Sequence, residues 1–252
     1  MDRLQNLDNI IRQLMAEQGA NYRIPFSLQE KQRLMRALMN MRQPIPATEE
    51  WLNAQDEELQ MQAVDRGIVT IEGEGLKLWQ GDITRLKVDA IVNAANAQLL
   101  GCWAPLHACI DNCIHSAAGI QLRQACYELM QAQGHDEETG RAKITKGYNL
   151  PARYVIHTVG PIIHDGVPTP EQEALLASCY RSCLDVAEYH HLESVAFCCI
   201  STGVFHFPNQ RAAEIAVQTV KDYPCRSLRT IVFNVFSDKD YQIYRQLLPN
   251  IS

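Results

Sequence analysis

From about Ile68 onward the chain alternates short Val- and Ile-rich runs with segments whose apolar residues recur at helical spacing. The runs IVTIEG, LKLWQG, DAIVNAA, KITKGY, YVIHTVG, SVAFCCIS and TIVFNVF read as strands. Several are apolar at consecutive positions, as in strands covered on both faces. Between them, IHSAAGIQLRQACYELMQAQG reads as one helix. PEQEALLASCYRSCLDVAEYH reads as another, with Thr169 as cap and Pro170 in its first turn. QRAAEIAVQTVKDY and DYQIYRQLL follow. Strands buried on both faces need helices on both faces. The pattern therefore predicts an α/β chain with a largely parallel or mixed sheet between helices.

The first 67 residues follow a different rule. Leu4, Leu7, Ile10, Ile11 and Leu14 form one helical stripe. Ser27 and Glu30 have capping-box spacing ahead of a second stripe of Leu34, Leu38 and Met41. The QPIPAT turn ends that helix, and Thr48 can cap a third through EEWLNAQDEELQMQAV. Helices this short are expected to pack on the main body. The expected division is a helical extension over 1–67 and an α/β domain over 68–252. The extension reads as structural, contributing stability and no ligand contacts.

Composition narrows the function. The 252 residues are 46% hydrophobic and carry a formal net charge of -6. That mild acidity argues against a nucleic-acid binder, which needs clustered Lys and Arg. A small anionic ligand stays open, because N–H groups at helix starts bind phosphate without basic side chains. The opening MDRLQNLDNIIRQLMAEQG lacks the charge-then-apolar order of a secretory signal, and no apolar run is long enough for a bilayer. Nine cysteines, an odd number, do not suggest a disulfide framework. The expectation is a cytoplasmic chain with reduced thiols.

In α/β sheets ligands bind at the carboxyl ends of strands. Polar loops follow four of the strands: Gly81-Asp82-Ile83-Thr84, Asn93-Ala94-Ala95-Asn96, Ser201 through Pro208, and Val235-Phe236-Ser237-Asp238. An Asp after a strand can equally cap a helix, and Asn pairs form turns. Four such loops at like ends argue for a site. The stretch GCWAPLHACIDNCIHSAAG adds three cysteines, two histidines and an aspartate. Cys102, His107 and Cys109 supply thiolate and imidazole within one short loop, a donor set zinc accepts. In an extended segment His107 and Cys109 would face one side, with Pro105 stiffening the loop. Three ligands leave a fourth position open, which suits a working metal. Spacing alone allows equally a buried thiol cluster with a packed histidine. Cys113 reads as a small core residue and His115 as a packed or hydrogen-bonded imidazole. Tyr148, His157 and His164 read as structural.

Taken together, GDIT, VDAIVNAAN, IHSAAG, HTVGP and ISTGVFHFP resemble the macrodomain family, over roughly Leu76 to Leu248. The resemblance implies a three-layer α/β/α fold that binds ADP-ribose. GCWAPLHACIDNCIH further resembles the zinc-dependent branch, where other branches carry a glycine-rich loop. It implies zinc held by Cys102, His107 and Cys109 beside the distal ribose, and release of mono-ADP-ribose from modified protein. The implied substrate is an aspartate ester on a lipoyl-carrier-type protein, and an N-terminal helical extension is consistent with this branch.

The same resemblance assigns roles by position. Asp82 would accept from the adenine amino group, with the Ile83 backbone reading the ring. Asn96 would meet the distal ribose, with Asn93 supporting its loop. Cys109, Ile110 and Asp111 would border the ribose, and Asp111 with Asn96 would be catalytic. A cap at a helix starting near Cys113 is the other role open to Asp111. Ser201, Thr202, Gly203, Val204 and Phe205 would offer N–H groups to the diphosphate, Gly203 allowing close approach. Phe205 would pack on the distal ribose and Phe236 near the adenosine. His206 departs from the glycine common at its place. A non-catalytic reader of ADP-ribose and a metal-stabilised interaction protein are the rival readings.

Overall fold

The structure, a computed structural model, describes residues 2–249, so residues 1 and 250–252 of the expected divisions lie outside it. Three helices come first: α1 (Arg3–Gln18), α2 (Leu28–Met41) and α3 (Glu49–Arg66). The starts of α2 and α3 follow the expected caps. The Ser27 hydroxyl accepts from the Glu30 N–H, and Thr48 accepts from the Trp51 N–H. Their apolar stripes meet one another. Leu7, Ile10, Ile11 and Leu14 pack with Met35, Leu38, Trp51 and Leu59 in a core that borrows only Ile120 from the main body's buried residues. Attachment to the main body is largely polar. Gln55 accepts from the Ile120 N–H at 2.9 Å, and Asn149 and Gln121 donate to Asp56.

The main body runs β1 (Val69–Thr70), β2 (Gly75–Gln80), a 3-10 turn at Ile83–Arg85, β3 (Leu86–Lys87) and β4 (Ala90–Ala95). Next come α4 (Ile110–Ala118), α5 (Ile120–Gln133), β5 (Ala142–Lys146), β6 (Tyr154–Val159) and α6 (Pro170–Tyr189). It ends with β7 (Ser194–Phe197), α7 (Asn209–Asp222), β8 (Thr230–Val235) and α8 (Asp238–Leu247). The main sheet has order β2-β8-β7-β4-β6-β5. Only β5 is antiparallel, pairing with β6 at the edge. α6, α7 and α8 cover one face and α4 and α5 the other, a three-layer α/β/α arrangement. The inner strands β4, β6, β7 and β8 are buried at nearly every position, which explains their unalternating sequences. No helix among the described residues is long and apolar enough to cross a membrane.

Three local readings change. IVTIEG forms only the two-residue β1, which pairs with β3 outside the main sheet. The helix expected over Ile114–Gly134 begins earlier, at Ile110, and is two helices broken at Gly119. Gly119 sits at φ 99°, and a Cβ there would fall 2.7 and 2.8 Å from side-chain atoms of Gln121 and Gln55. The bend carries the polar attachment of the extension; its positive φ suits glycine, and a side chain there would displace the Gln55 and Gln121 amides. Third, α8 opens two residues early because the Ser237 hydroxyl caps it, accepting from the Asp240 N–H at 3.1 Å. The Thr169 cap with Pro170 stands, completed by Gln172 into a capping box.

Candidate active site

Because β2, β8, β7, β4 and β6 are mutually parallel, the loops after them emerge at one edge of the sheet. That edge holds Asp82, Asn96, the Ser201–Phe205 loop and Phe236. Asp82 caps the 3-10 turn through Oδ1, which accepts from the Thr84 N–H at 2.9 Å and its hydroxyl at 2.7 Å. Its Oδ2 accepts no hydrogen bond among the described residues, so the carboxylate is anchored by one oxygen and available by the other. The Ile83 side chain is buried in the core. Asp82 lines a cavity of about 140 Å³ whose far wall includes Gln32, Arg36, Gln62 and Arg66 of the extension. The extension therefore reaches closer to the site than the sequence suggested.

After β7 the chain forms the Ser201–Phe205 loop, ahead of α7, which opens at Asn209 with Pro208 as cap. Among the described residues, the N–H groups of Ser201, Gly203, Val204 and Phe205 find no acceptor. Donors of this kind ahead of a helix suit a diphosphate. A Cβ on Gly203 would meet nothing within 4 Å, so that face of the loop is open. The left-handed positions are instead Ser201, at φ 64°, and His206, at φ 57°. His206 thus occupies a conformation that glycine adopts without strain. The Thr202 hydroxyl donates to the Cys199 carbonyl. Phe205 is half-buried, while Val204 and Phe236 are 60% and 79% exposed, the latter beside the end of β8.

Asn96 follows β4. Its amide donates to the Gly101 carbonyl at 3.2 Å and accepts from the Gln98 N–H at 3.1 Å. Both halves of this side chain are thus occupied in shaping the loop that begins at Leu99. That loop brings together the sulfurs of Cys102 and Cys109 and a ring nitrogen of His107, all within 4.8 Å of one another. Cys102 Sγ lies 3.6 Å from His107 Nδ1. Donors around a tetrahedral zinc stand roughly 3.5 Å apart, so thiolate, imidazole and spacing fit the metal. The turn carrying His107 has its N–H donating to the Ala104 carbonyl, Pro105 at one corner and Leu106 at φ 59° at the other. Burial pushes the Cys109 thiol up to about 12, with the neighbouring Cys102 adding to it. A bound cation would reverse that, since coordination deprotonates thiols.

Cys109, rather than Asp111, caps α4: its sulfur accepts from the Asn112 N–H at 3.5 Å. The helix begins at Ile110, which puts Asp111 inside the first turn and 5% exposed. Freed from capping, the Asp111 carboxylate accepts from Asn93 Nδ2 at 2.8 Å. Asn93 also donates to His157 Nδ1 at 3.2 Å, and His157 Nε2 in turn donates to the Thr145 hydroxyl at 2.9 Å. Both amide hydrogens of Asn93 are therefore used, and the row fixes the rotation of Asp111. Burial holds His157 neutral, down at about 3. Burial also pushes Asp111 up to about 6, against the pull of the Asn93 hydrogen bond and of Arg123.

The sequence treated His157 as structural without linking it to Asp111. Its place in YVIHTVG beside β4 was the available signal. His115 is buried against Gly101 and tilted on His157; among the described residues neither ring nitrogen has a hydrogen-bond partner, and Nε2 lies 3.6 Å from Asp111 Oδ1. His115, Cys126 and His157 form a second buried group of possible donors. Both His157 nitrogens are already engaged, which argues for a packed polar core rather than a ligand set. Cys113 is half-buried, with its sulfur 3.7 Å from an Arg36 nitrogen, not a full core residue.

Comparison with known proteins agrees with this fold. The Macro domain model matches residues 92–216. A Treponema medium protein named protein-ADP-ribose hydrolase is 52% identical over 95% of this chain and 96% of its own. A solved mutant of the Oceanobacillus iheyensis macrodomain with ADPR is 40% identical, with a TM-score of 0.64 over 71% of this chain and 94% of that one. The Trypanosoma brucei macrodomain in complex with ADP-ribose is 30% identical, with a TM-score of 0.61 over 84% of this chain and 94% of that one. With a strand-end site of this form and a relative of that identity along almost its whole length, the chain belongs to the macrodomain family.

Proposed function

We propose that this chain is a protein-ADP-ribose hydrolase that removes mono-ADP-ribose from modified side chains and releases ADP-ribose. The name of the Treponema relative and the bound ligands of the solved neighbours support the activity and the ligand. Our finer reading is a zinc-dependent enzyme acting on an aspartate ester of a lipoyl-carrier-type protein, in a reducing cytoplasm. Residues 1–67 form its extension and 68–252 its macrodomain. The nine cysteines, all free thiols, are compatible with that compartment.

One observation carries the zinc reading: three metal-donor side chains converge within 4.8 Å just ahead of Asp111. Cys102, His107 and Cys109 would hold zinc, which when bound supplies Lewis-acid polarisation of an oxygen ligand. The chain's own residues do the rest. Asp82 takes the adenine amino group on its free oxygen, and the Ser201–Phe205 N–H groups hold the diphosphate. Asp111, its rotation set by Asn93, orients a water and accepts its proton. The elements of water are divided between the released ADP-ribose and the freed protein carboxyl group. Asn96 keeps the metal loop in register with the ribose.

The test is single-turnover release of ADP-ribose from a modified lipoyl-carrier protein, with and without a chelator. Release that stops with chelation and returns with zinc is expected. Release indifferent to chelation would overturn zinc dependence, and tight ADP-ribose binding without release would make the chain a reader.

A further inference from the structure

Among the described residues no strand pairs with the loop carrying the three donors, and side chains reaching in from helices hold its backbone. Asn112 Nδ2 donates to the Ala104 carbonyl at 2.9 Å, and Arg123 Nε donates to the Leu100 carbonyl at 2.7 Å. Two further contacts come from α2 of the extension. Arg36 Nη2 donates to the carbonyl of His107 itself at 2.9 Å and to Asn112 Oδ1 at 2.8 Å. Asn40, 1% exposed, accepts from the Leu106 N–H at 3.0 Å and donates to the Ser116 hydroxyl at 2.9 Å. The α2 end is itself pinned, because Arg123 Nη1 donates to the carbonyls of Met39, Asn40 and Arg42 at 2.7–3.1 Å. Arg123 also lies 4.1 Å over the Trp103 ring, inside the same loop.

These bonds grip the Leu106–His107 step, the part of the loop that must present the imidazole toward the two sulfurs. Leu106 sits at a positive φ that its side chain disfavours, so the turn needs outside support to persist. We propose that Arg36 and Asn40 are positioning residues for His107, making the helical extension a buttress of the metal loop. This rests on the reading that the trio binds zinc. It also accounts for the polar character of the joint. Apolar packing would fix the distance between extension and body, whereas directed hydrogen bonds to loop backbone also fix the loop's conformation.

The full-length chain is tested as wild type, Arg36→Met, Asn40→Ala, the conservative Arg36→Lys, and Asn6→Ala as control. Asn6 donates to the Ala54 carbonyl, a bond made wholly within the extension. Two quantities are read: zinc affinity by competition with a chromophoric chelator, and amide hydrogen exchange over residues 103–109 in metal-free protein. Removing a partner that orients a ligand costs roughly 10–100-fold in metal affinity, and that loss is expected for Arg36→Met and Asn40→Ala. Both should raise loop exchange, and Arg36→Lys should recover part of each effect. Asn6→Ala should lower the melting temperature with zinc affinity and loop exchange unchanged. Wild-type affinity and exchange in Arg36→Met and Asn40→Ala would overturn the proposal. So would an Asn6→Ala protein that loses zinc equally, because loss of stability would then explain everything. A wild type that takes up no zinc, yet exchanges its loop faster after Arg36→Met, would sink the zinc reading and leave the buttress standing.

Discussion

Gly101 is where the loop of Cys102, His107 and Cys109 touches α4, and replacing it with alanine tests that contact quantitatively. Its φ of 78° lies in the left-handed region. An L-residue there costs about 1–2 kcal/mol. A Cβ would also fall 2.8, 2.9 and 3.0 Å from Cγ, Nδ1 and Cδ2 of His115. The ring is 5% exposed and lies against His157, so it has little room to retreat. Overpacking of that kind costs about 1–3 kcal/mol. Gly101→Ala should therefore cost about 2–5 kcal/mol, with a fall in melting temperature of roughly 4–20 °C for a chain of this length. The assay is urea unfolding of four proteins: wild type, Gly101→Ala, His115→Ala and the double variant. If the ring causes the clash, Gly101→Ala in the His115→Ala background should retain only the backbone cost of about 1–2 kcal/mol. The same cost in both backgrounds would refute the close-approach argument and leave backbone strain alone. The same loop carries Cys102, so Gly101→Ala should also retain less zinc on dialysis.

Three other outcomes are expected. Asp82→Ala should weaken ADP-ribose binding roughly tenfold or more by calorimetry, for a lost hydrogen bond of about 1.5–3 kcal/mol, whereas Asp111→Ala should bind free ADP-ribose normally and slow single-turnover release by about 10²–10⁴. His206→Gly should stabilise the chain by about 1 kcal/mol in denaturant unfolding, since His206 is exposed and held at φ 57°. Partial burial would raise the Glu188 carboxyl, but hydrogen bonds from the N–H groups of Ser227, Arg226 and Leu228 outweigh it and hold the group down at about 2. Its contribution is present above the ordinary value of 4.5 and lost as the pH falls toward about 2. Unfolding followed across that window should be flatter for Glu188→Gln, and an unchanged slope would refute the assignment.

Periodicity and loop chemistry determined much of this protein. Unalternating Val and Ile runs such as DAIVNAA and YVIHTVG can be satisfied only between two helical layers, so the three-layer class follows from local pattern. Thr48, Ser27 and Thr169 mark helix starts because a cap acts on a backbone N–H three residues away. The short spacing of Cys102, His107 and Cys109 made a cluster of possible metal donors legible, and the structure brings the three together. What could not be read was decided between segments distant in sequence. Asp111 looked able to cap a helix, but α4 starts at Ile110 under the Cys109 sulfur. The carboxylate turns instead to Asn93, 18 residues away, and through it to His157. The break at Gly119 depends on Gln55 crossing from the extension, and the hold on His107 depends on Arg36, 71 residues earlier. Helix and strand periods report which face is buried, but not which distant donor meets a given carbonyl. That is set by how the layers and the extension pack, so only the tertiary structure shows the extension reaching the loop of Cys102, His107 and Cys109.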